Sequence, residues 1–286
     1  MLKSLLRLMP FAAQVKMGLR RLVINADSES ALDVVSTFAA FSPNSDGGYP
    51  DKARLTIASV NRTMPSLVSL LQSLKVPFSE PEDIESLITS DEDRLAAESL
   101  KQLLDGHGSD KASYHNYHLL YGVLLKDRAA IASTLEIGIG TNNTSVVSHM
   151  GAAGRPGASL RAFRDFLETA KVYGADIDPG ILFQENRIST FVVDQTDPAT
   201  FDLLAAQLPS QLDLVIDDGL HSPDANIATL CFGLQRIRIG GWMVVEDIAE
   251  AAIPVWQVVS AVLPDSFEAF LFRADGGYVF AVKKVK

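Results

Sequence analysis

The sequence predicts an open α/β fold, a doubly wound and mostly parallel sheet with a helical region ahead of it. Three observations lead there. Apolar residues from Ala129 to Leu135 run into Glu136-Ile-Gly138-Ile-Gly140, a buried strand closed by two glycines. After it, strand and helix signals alternate to the end of the chain, which is the pattern of a parallel sheet covered on both faces. Successive strands end in acids: Asp176, Asp194, Asp217-Asp218 and Glu246-Asp247. In such sheets ligands bind outside the carboxyl ends of the strands.

The elements follow in order. Residues 1–106 read as mainly helical, an accessory cap or oligomerisation region. The apolar stretch Met1 to Arg21 is interrupted by Arg7, Pro10 and Lys16, so it reads as an amphipathic helix and not as a signal peptide. Asp27 or Ser28 is placed to cap a helix through Phe41, and Lys52 to Val60 suggests a short strand. Pro65 suits a first helical turn, with Leu67, Leu70, Leu71 and Leu74 behind it at helical spacing. Ser79 with Glu82 resembles a capping box. Ser90 begins a helix that Gly106 and Gly108 end.

The segment 107–286 reads as the cofactor-binding catalytic domain. If its opening residues are helical, Tyr114, Tyr117, His118 and Tyr121 share one face. That face is either an aromatic packing surface or a pocket wall. Strands are expected at 133–138, 171–175, 189–193, 212–216 and 242–245, with Gly240-Gly241 as a turn before the last. Helices are expected at 158–170, 198–208, 225–237 and 251–262. A long loop, Thr141 to Gly157, separates the first strand from its helix. A hairpin around Ala274-Asp-Gly-Gly277 closes the domain and adds an antiparallel edge strand.

Composition bounds the function. The chain has 286 residues, 47% apolar and 21% charged, with a net charge of −10. That is a globular composition, and its acidity argues against a general nucleic-acid or anionic-membrane surface. No stretch approaches the apolar length of a membrane helix. Cys231 is the only cysteine, so there is no internal disulfide; it reads as a core residue, and a reducing, cytoplasmic setting is the default.

The acids have distinct expected roles. Asp176 ends the second strand, where a carboxylate accepts both hydroxyl protons of a ribose diol. It lies roughly 35–40 residues beyond the glycines, not the ~20 of a compact dinucleotide fingerprint, because of the long loop. Asp194 and Gln195 end the third strand, where a base edge would lie.

These residues resemble a family. Glu136-x-Gly138-x-Gly140, Asp176 after Val172-Tyr-Gly-Ala, Asp194-Gln-Thr-Asp197 and the closing hairpin are similar to class I S-adenosylmethionine-dependent methyltransferases, over about residues 107–283. Asp217-Asp218-Gly219-Leu220-His221 and Val245-Glu246-Asp247, preceded by Gly108-Ser-Asp-Lys111 and His115-Asn-Tyr117, narrow the likeness. Together they resemble the metal-dependent sugar O-methyltransferases of macrolide biosynthesis and the related cephalosporin-hydroxylase-like proteins. The resemblance implies a seven-stranded Rossmann-like methyltransferase sheet and S-adenosylmethionine as cofactor. It makes Asp218, Glu246 and Asp247 candidate magnesium ligands and His221 the general base. It brings Gly140 to the methionine part of the cofactor, and Ser159 and Tyr117 to its carboxylate. Thr141-Asn142-Asn143 departs from the glycine-rich loop of the pattern.

The chemistry agrees independently. A sulfonium methyl is already electrophilic, so the enzyme must supply an activated oxygen in line with it. A divalent cation on hard carboxylates lowers the pKa of bound hydroxyls, and a nearby histidine takes the proton. Carboxylates with few histidines favour Mg²⁺ or Mn²⁺ over zinc. The expected partner is a small-molecule or saccharide acceptor, with a homo-oligomer plausible through the N-terminal region. The alternatives are a hydroxylase-like or non-catalytic relative, a purely structural protein that the acidic strand ends argue against, and a nicotinamide-dependent oxidoreductase. The last needs a third glycine where Asn142 and Asn143 stand.

Overall fold

The computed structural model describes residues 30–38, 41 and 47–286. The expected helix over Met1 to Arg21 and the cap at Asp27 or Ser28 lie outside them. The chain divides into two units, Met1–Ser73 and Leu74–Lys286. In the first, residues 30–37 are helical, and a 26-residue helix α1 spans Tyr49–Leu74. The expected strand at Lys52 to Val60 is therefore helix. Leu55 and Ile57 are exposed, while Ala53 and Thr56 are buried at helical spacing. Pro65 sits inside α1, not at its start.

The second unit is built on one nine-stranded sheet. Its strands are β1 (Pro81–Asp83), β2 (Ser133–Ile137), β3 (Lys171–Asp176), β4 (Gln184–Glu185) and β5 (Ile188–Val192). Then come β6 (Leu212–Asp217), β7 (Ile237–Ile248), β8 (Phe267–Ala274) and β9 (Gly277–Lys284). The order is β1-β8-β9-β7-β6-β2-β3-β5-β4. The expected seven strands are present, and the short strands β1 and β4 extend the two edges. β4 pairs antiparallel with β5, and β9 runs antiparallel to both of its neighbours; β9 lies inside the sheet between β7 and β8 and not at the edge. Its run Val279-Phe-Ala-Val282 is fully buried, so the more apolar arm of the hairpin takes the interior place.

Helices cover both faces. They are α2 (Asp91–His107), α3 (Asp110–Ser113), α4 (His118–Leu124), α5 (Ala158–Phe166), α6 (Pro198–Ala205), α7 (Pro223–Arg236) and α8 (Ile253–Val262). Leu100 and Leu104 of α2, Tyr121 of α4 and Phe163 of α5 form one core with Leu214 and Ile216 of β6. Leu204 of α6, Leu230 of α7 and Trp256 of α8 form the other with Val215 between them in sequence. A strand buried on both faces reads as a continuous apolar run, as β6 does.

Local signals explain most boundaries. The Ser90 side chain accepts from Asp93 N–H and caps α2, and Gly108 closes that helix in the left-handed region. Ser79 makes no capping box: its hydroxyl donates to the Ala269 carbonyl and its N–H to Ser260 Oγ, which holds the chain along β8. Gly240 (φ 82°) and Gly241 make no separate turn but a bulge, since Leu212 pairs with Ile237 and Leu214 with Trp242. Cys231 is exposed on α7, not in the core. Strand β1 and helix α2 lie within the unit that begins at Leu74, ahead of the boundary expected at 106.

Asp213 ties three strands at the end opposite the acids. One oxygen accepts the Ala132 and Ser133 N–H groups at 2.8 Å, and the other accepts Arg238 Nε at 2.5 Å. Asp213→Ala leaves two backbone donors without their acceptor at a nearly buried position. Urea unfolding should show a loss of about 3 kcal/mol; a loss under 1 kcal/mol would show that the β2–β6 ladder forms without this clamp.

Candidate active site

The parallel ladders bring the acidic strand ends side by side. Ile137 pairs with Ala175 on one side and Asp217 on the other, and Asp217 pairs with Val245. Two adjoining cavities open there. The first, of about 370 Å³, is lined by Gly138, Gly140, Asp176, Asp178, Asp194 and Leu220. The second, of about 260 Å³, is lined by Lys111, Glu136, Asp218, His221, Glu246 and Asp247. Gly138, Gly140 and Asp218 border both.

In the first cavity Asp176 is nearly buried. Its oxygens accept the N–H groups of Ile139 and Asp178, each at 3.0 Å. Burial raises its pKa, and those backbone donors oppose the rise. Asp178, which sequence reasoning left without a role, stands beside it. Its carboxylate accepts the Thr141 hydroxyl at 2.6 Å and Gly180 N–H at 2.8 Å, and these hold its pKa low. Asp194 borders the cavity with one oxygen accepting both the N–H and the hydroxyl of Thr196. Gln195 borders it too, but its amide is engaged elsewhere. It donates to Asp217 and Thr229 and accepts from Leu220 N–H, so it braces the loop after β6.

Of the adjacent pair Asp217 and Asp218, only the second faces a cavity. Asp217 is fully buried and accepts from Gln195, Gly219 N–H and Asn226. Asp218 turns into the second cavity, with Oδ1 4.0 Å from His221 Nε2. Asp247 Oδ2 lies 3.7 Å from the same nitrogen. Asp218, His221 and Asp247 each offer a ligand atom, all within 4.8 Å of one another. Two of these residues hold strained backbone: His221 has φ 56° and Asp247 φ 55°, in the region that L side chains avoid. Such strain gathers at functional sites.

The remaining expected residues are drawn into the supporting shell. Glu246 is buried; one oxygen accepts from Lys111 Nζ at 2.5 Å and the other from the Tyr121 hydroxyl. Ser159 does not project into the first cavity. Its hydroxyl lies 2.7 and 2.8 Å from the two Glu136 oxygens and donates to that carboxylate. Tyr117 is buried, and its hydroxyl donates to Asp247 Oδ1 at 2.6 Å while accepting Asp247 N–H at 3.2 Å. The expected aromatic face is broken at Asn116 (φ 50°), between α3 and α4. Tyr114 is exposed as a result, while Tyr117 and Tyr121 reach the two acids of β7.

Lys111 is the functional residue that sequence reasoning missed. Its Nζ, 3% exposed as a side chain, lies 2.5 Å from Asp218, 2.5 Å from Glu246 and 3.2 Å from Glu136. Burial would lower its pKa, but the surrounding carboxylates raise it above the ordinary lysine value. Burial pushes Glu246 well up; Lys111 opposes this, and the neighbouring acids reinforce it. Burial acts the same way on Asp247, but Tyr117's hydrogen bond and the adjacent His115 and His221 outweigh it and hold its pKa low. In the sequence Lys111 stands two residues after the helix-capping Ser109, just before the aromatic run.

No family model matches the chain. Over 154 residues the chain is 35% identical to 8-demethyl-8-alpha-L-rhamnosyl tetracenomycin-C 2'-O-methyltransferase of Streptomyces olivaceus, covering 53% of this chain and 38% of that protein. Over 98 residues it is 37% identical to demethylmacrocin O-methyltransferase of Streptomyces fradiae, covering 34% of this chain and 25% of that one. The chain thus spans less than half the length of these curated relatives. Among solved structures it is similar to the MycE methyltransferase of the mycinamycin biosynthetic pathway in complex with Mg and SAH. The TM-score is 0.52 and the identity 23%, over 66% of this chain and 55% of that one. The same methyltransferase in complex with Mg, SAH and mycinamycin VI matches at a TM-score of 0.52 and 22% identity, over 66% of this chain and 54% of that one. The sheet of the second unit has the α/β methyltransferase fold.

Proposed function

We propose that this chain transfers a methyl group from S-adenosylmethionine to a hydroxyl of a sugar or glycosylated small molecule, with Mg²⁺ or Mn²⁺ as the metal. One observation carries the reading. The cluster Asp218, His221 and Asp247 stands in a cavity that shares a wall with the strand-end cavity of the methyltransferase fold. The similar proteins, O-methyltransferases of a rhamnosyl tetracenomycin and of demethylmacrocin, point the same way.

The donor set fits the metal. Two hard carboxylates with no thiolate beside them suit an oxygen-seeking divalent cation, and the His221 imidazole is left to act as a base. Asp218 and Asp247 would hold it. Glu246 has both oxygens committed and supports the site from behind. When bound, the cation supplies Lewis acidity that lowers the pKa of an acceptor hydroxyl.

The chain's own residues supply the rest. Asp176, its carboxylate fixed by two backbone N–H groups, faces the cavity where a ribose diol donates. Asp194 lies along the same wall for the base. His221 Nε2 takes the acceptor's proton, and the Asp247 carboxylate at 3.7 Å stabilises the imidazolium that forms. Tyr117 holds Asp247 in place for that task. The glycines at the shared wall let donor methyl and acceptor oxygen approach to about 3 Å.

The nicotinamide reading loses ground because Asn142 is a brace. Its amide donates to the Gly151 and Gly154 carbonyls and closes the long loop on itself. A panel of rhamnosides and other glycosides with S-adenosylmethionine and MgCl₂ should yield a product one methylene heavier, and EDTA should abolish it. Stabilisation by NADH with no response to S-adenosylmethionine would sink the proposal.

No helix among the described residues is long and apolar enough to cross a membrane.

A further inference from the structure

We propose that Lys111 is the resident counter-cation of the acidic site, a positioning residue that keeps the carboxylates assembled before a divalent cation arrives. The proposal rests on the metal reading above and adds the residue that sets how far the fold depends on the metal.

The geometry is specific. Lys111 lies on α3, a helix of four residues whose cap, Ser109, accepts the Lys111 N–H through its hydroxyl. From there its side chain reaches the interior, where the ammonium touches one carboxylate from each of three neighbouring strands. Glu136 belongs to β2, Asp218 follows β6, and Glu246 belongs to β7. β6 pairs with both β2 and β7, so the three strands converge on one ammonium. Asp218 is shared: Oδ2 binds Lys111, which leaves Oδ1 turned towards His221. Asp247 lies beyond, against His221 and Tyr117.

Charge makes the arrangement one-sided. Glu136, Asp218, Glu246 and Asp247 outnumber the Lys111 ammonium, and the burial of Glu136 and Glu246 strengthens the repulsion. Ser159 and Tyr121 add hydrogen bonds but no positive charge. Losing the ammonium would leave buried acids unpaired, which is costly. A bound divalent cation can then replace the missing charge, and binding to the folded state alone stabilises it by mass action.

The test is the melting temperature of Lys111→Met, of similar length and neutral, with and without millimolar MgCl₂ against KCl of equal ionic strength. Without Mg²⁺ the variant should melt about 10 °C below the parent. Mg²⁺ should return at least half of that loss, while the parent responds by only a few degrees. A second variant, Lys111→Met with Glu246→Gln, removes one surplus acid with the lysine. It should melt close to the parent without Mg²⁺ and lose the enlarged response. Should Lys111→Met fold only when purified with Mg²⁺, unfolding on addition of EDTA supports the proposal, and failure to fold even with Mg²⁺ overturns it. Equal Mg²⁺ responses in parent and variant overturn the Lys111 proposal and leave the metal reading standing. No Mg²⁺-specific response in any of the proteins removes both.

Discussion

His221→Gly should keep the protein folded and slow methyl transfer about a thousandfold, within the range of 10²–10⁴ expected on losing a general base. The two halves of this result have separate causes. His221 occupies φ 56°, where a side chain costs about 1–2 kcal/mol and glycine costs nothing. Glycine also loses roughly 0.5–1 kcal/mol through the freedom of the unfolded chain, so stability should be unchanged or higher by up to about 1.5 kcal/mol. The imidazole makes no close hydrogen bond to offset this, since its approaches to Asp247 and Asp218 are 3.7 and 4.0 Å. The strained backbone serves to aim Nε2 into the second cavity, not to hold the fold. Chemical denaturation and single-turnover kinetics with saturating S-adenosylmethionine read the two halves. Cofactor affinity should be nearly intact, because His221 does not line the first cavity. Turnover within tenfold of the parent would show that the carboxylates and metal suffice. Loss of cofactor binding would move His221 from proton transfer to binding.

The sequence carried the frame of this site further than its details, and the reason is geometric. Strand ends were legible because apolar runs stop at acids, and a parallel sheet must bring those stops to one edge. Asp176, Asp194, Asp218 and Asp247 all border the cavities there. Asp218 was set apart from Asp217 as the metal candidate, but the division of labour between Glu246 and Asp247 was not read, although strand alternation bears on it. Neighbouring residues of a strand point to opposite faces, so Glu246 and Asp247 need not serve one ion, nor Asp217 and Asp218. In the structure both acids of β7 border the second cavity, but Glu246 has both oxygens engaged by Lys111 and Tyr121, and Asp217 is locked into hydrogen bonds behind Asp218. Tyr117 and Tyr121 were visible as an aromatic face, yet their roles depended on the turn at Asn116, a residue type that tolerates left-handed backbone. Lys111 was hardest to read. Its partners Glu136, Asp218 and Glu246 come from three strands far apart in sequence, and no local pattern marks a lysine for burial.

Gly138→Ala should damage fold and function together. Gly138 has φ 87°, and a Cβ built on it would lie 2.1 Å from the Asp218 carbonyl oxygen and 2.5 Å from Gly219 Cα. Both are backbone atoms, so no side chain can swing aside. The contact is pinned from each side: Gly138 N–H donates to Ala175 O, and Asp218 N–H donates to Ile137 O, both at 2.8 Å. Backbone conformation alone costs about 1–2 kcal/mol, and forcing the two loops apart adds about 1–3 kcal/mol. The sum, about 2–5 kcal/mol, should appear in urea unfolding. Gly151→Ala is the control, because φ is 73° there but nothing lies within 4 Å of the added carbon. It should show the conformational cost alone. The loop that Gly138 touches carries Asp218 and His221, so relief of the clash must displace both. A shift of ~1 Å in such groups costs roughly a hundredfold in rate. Turnover of folded Gly138→Ala should fall by that order, while Gly151→Ala keeps the parent rate. Equal stability loss in the two variants, with turnover preserved in both, would show that the loop yields without moving the site. Gly138 would then serve the backbone turn alone, and the tight crossing of the β2 and β6 strand ends would not be what fixes Asp218 and His221.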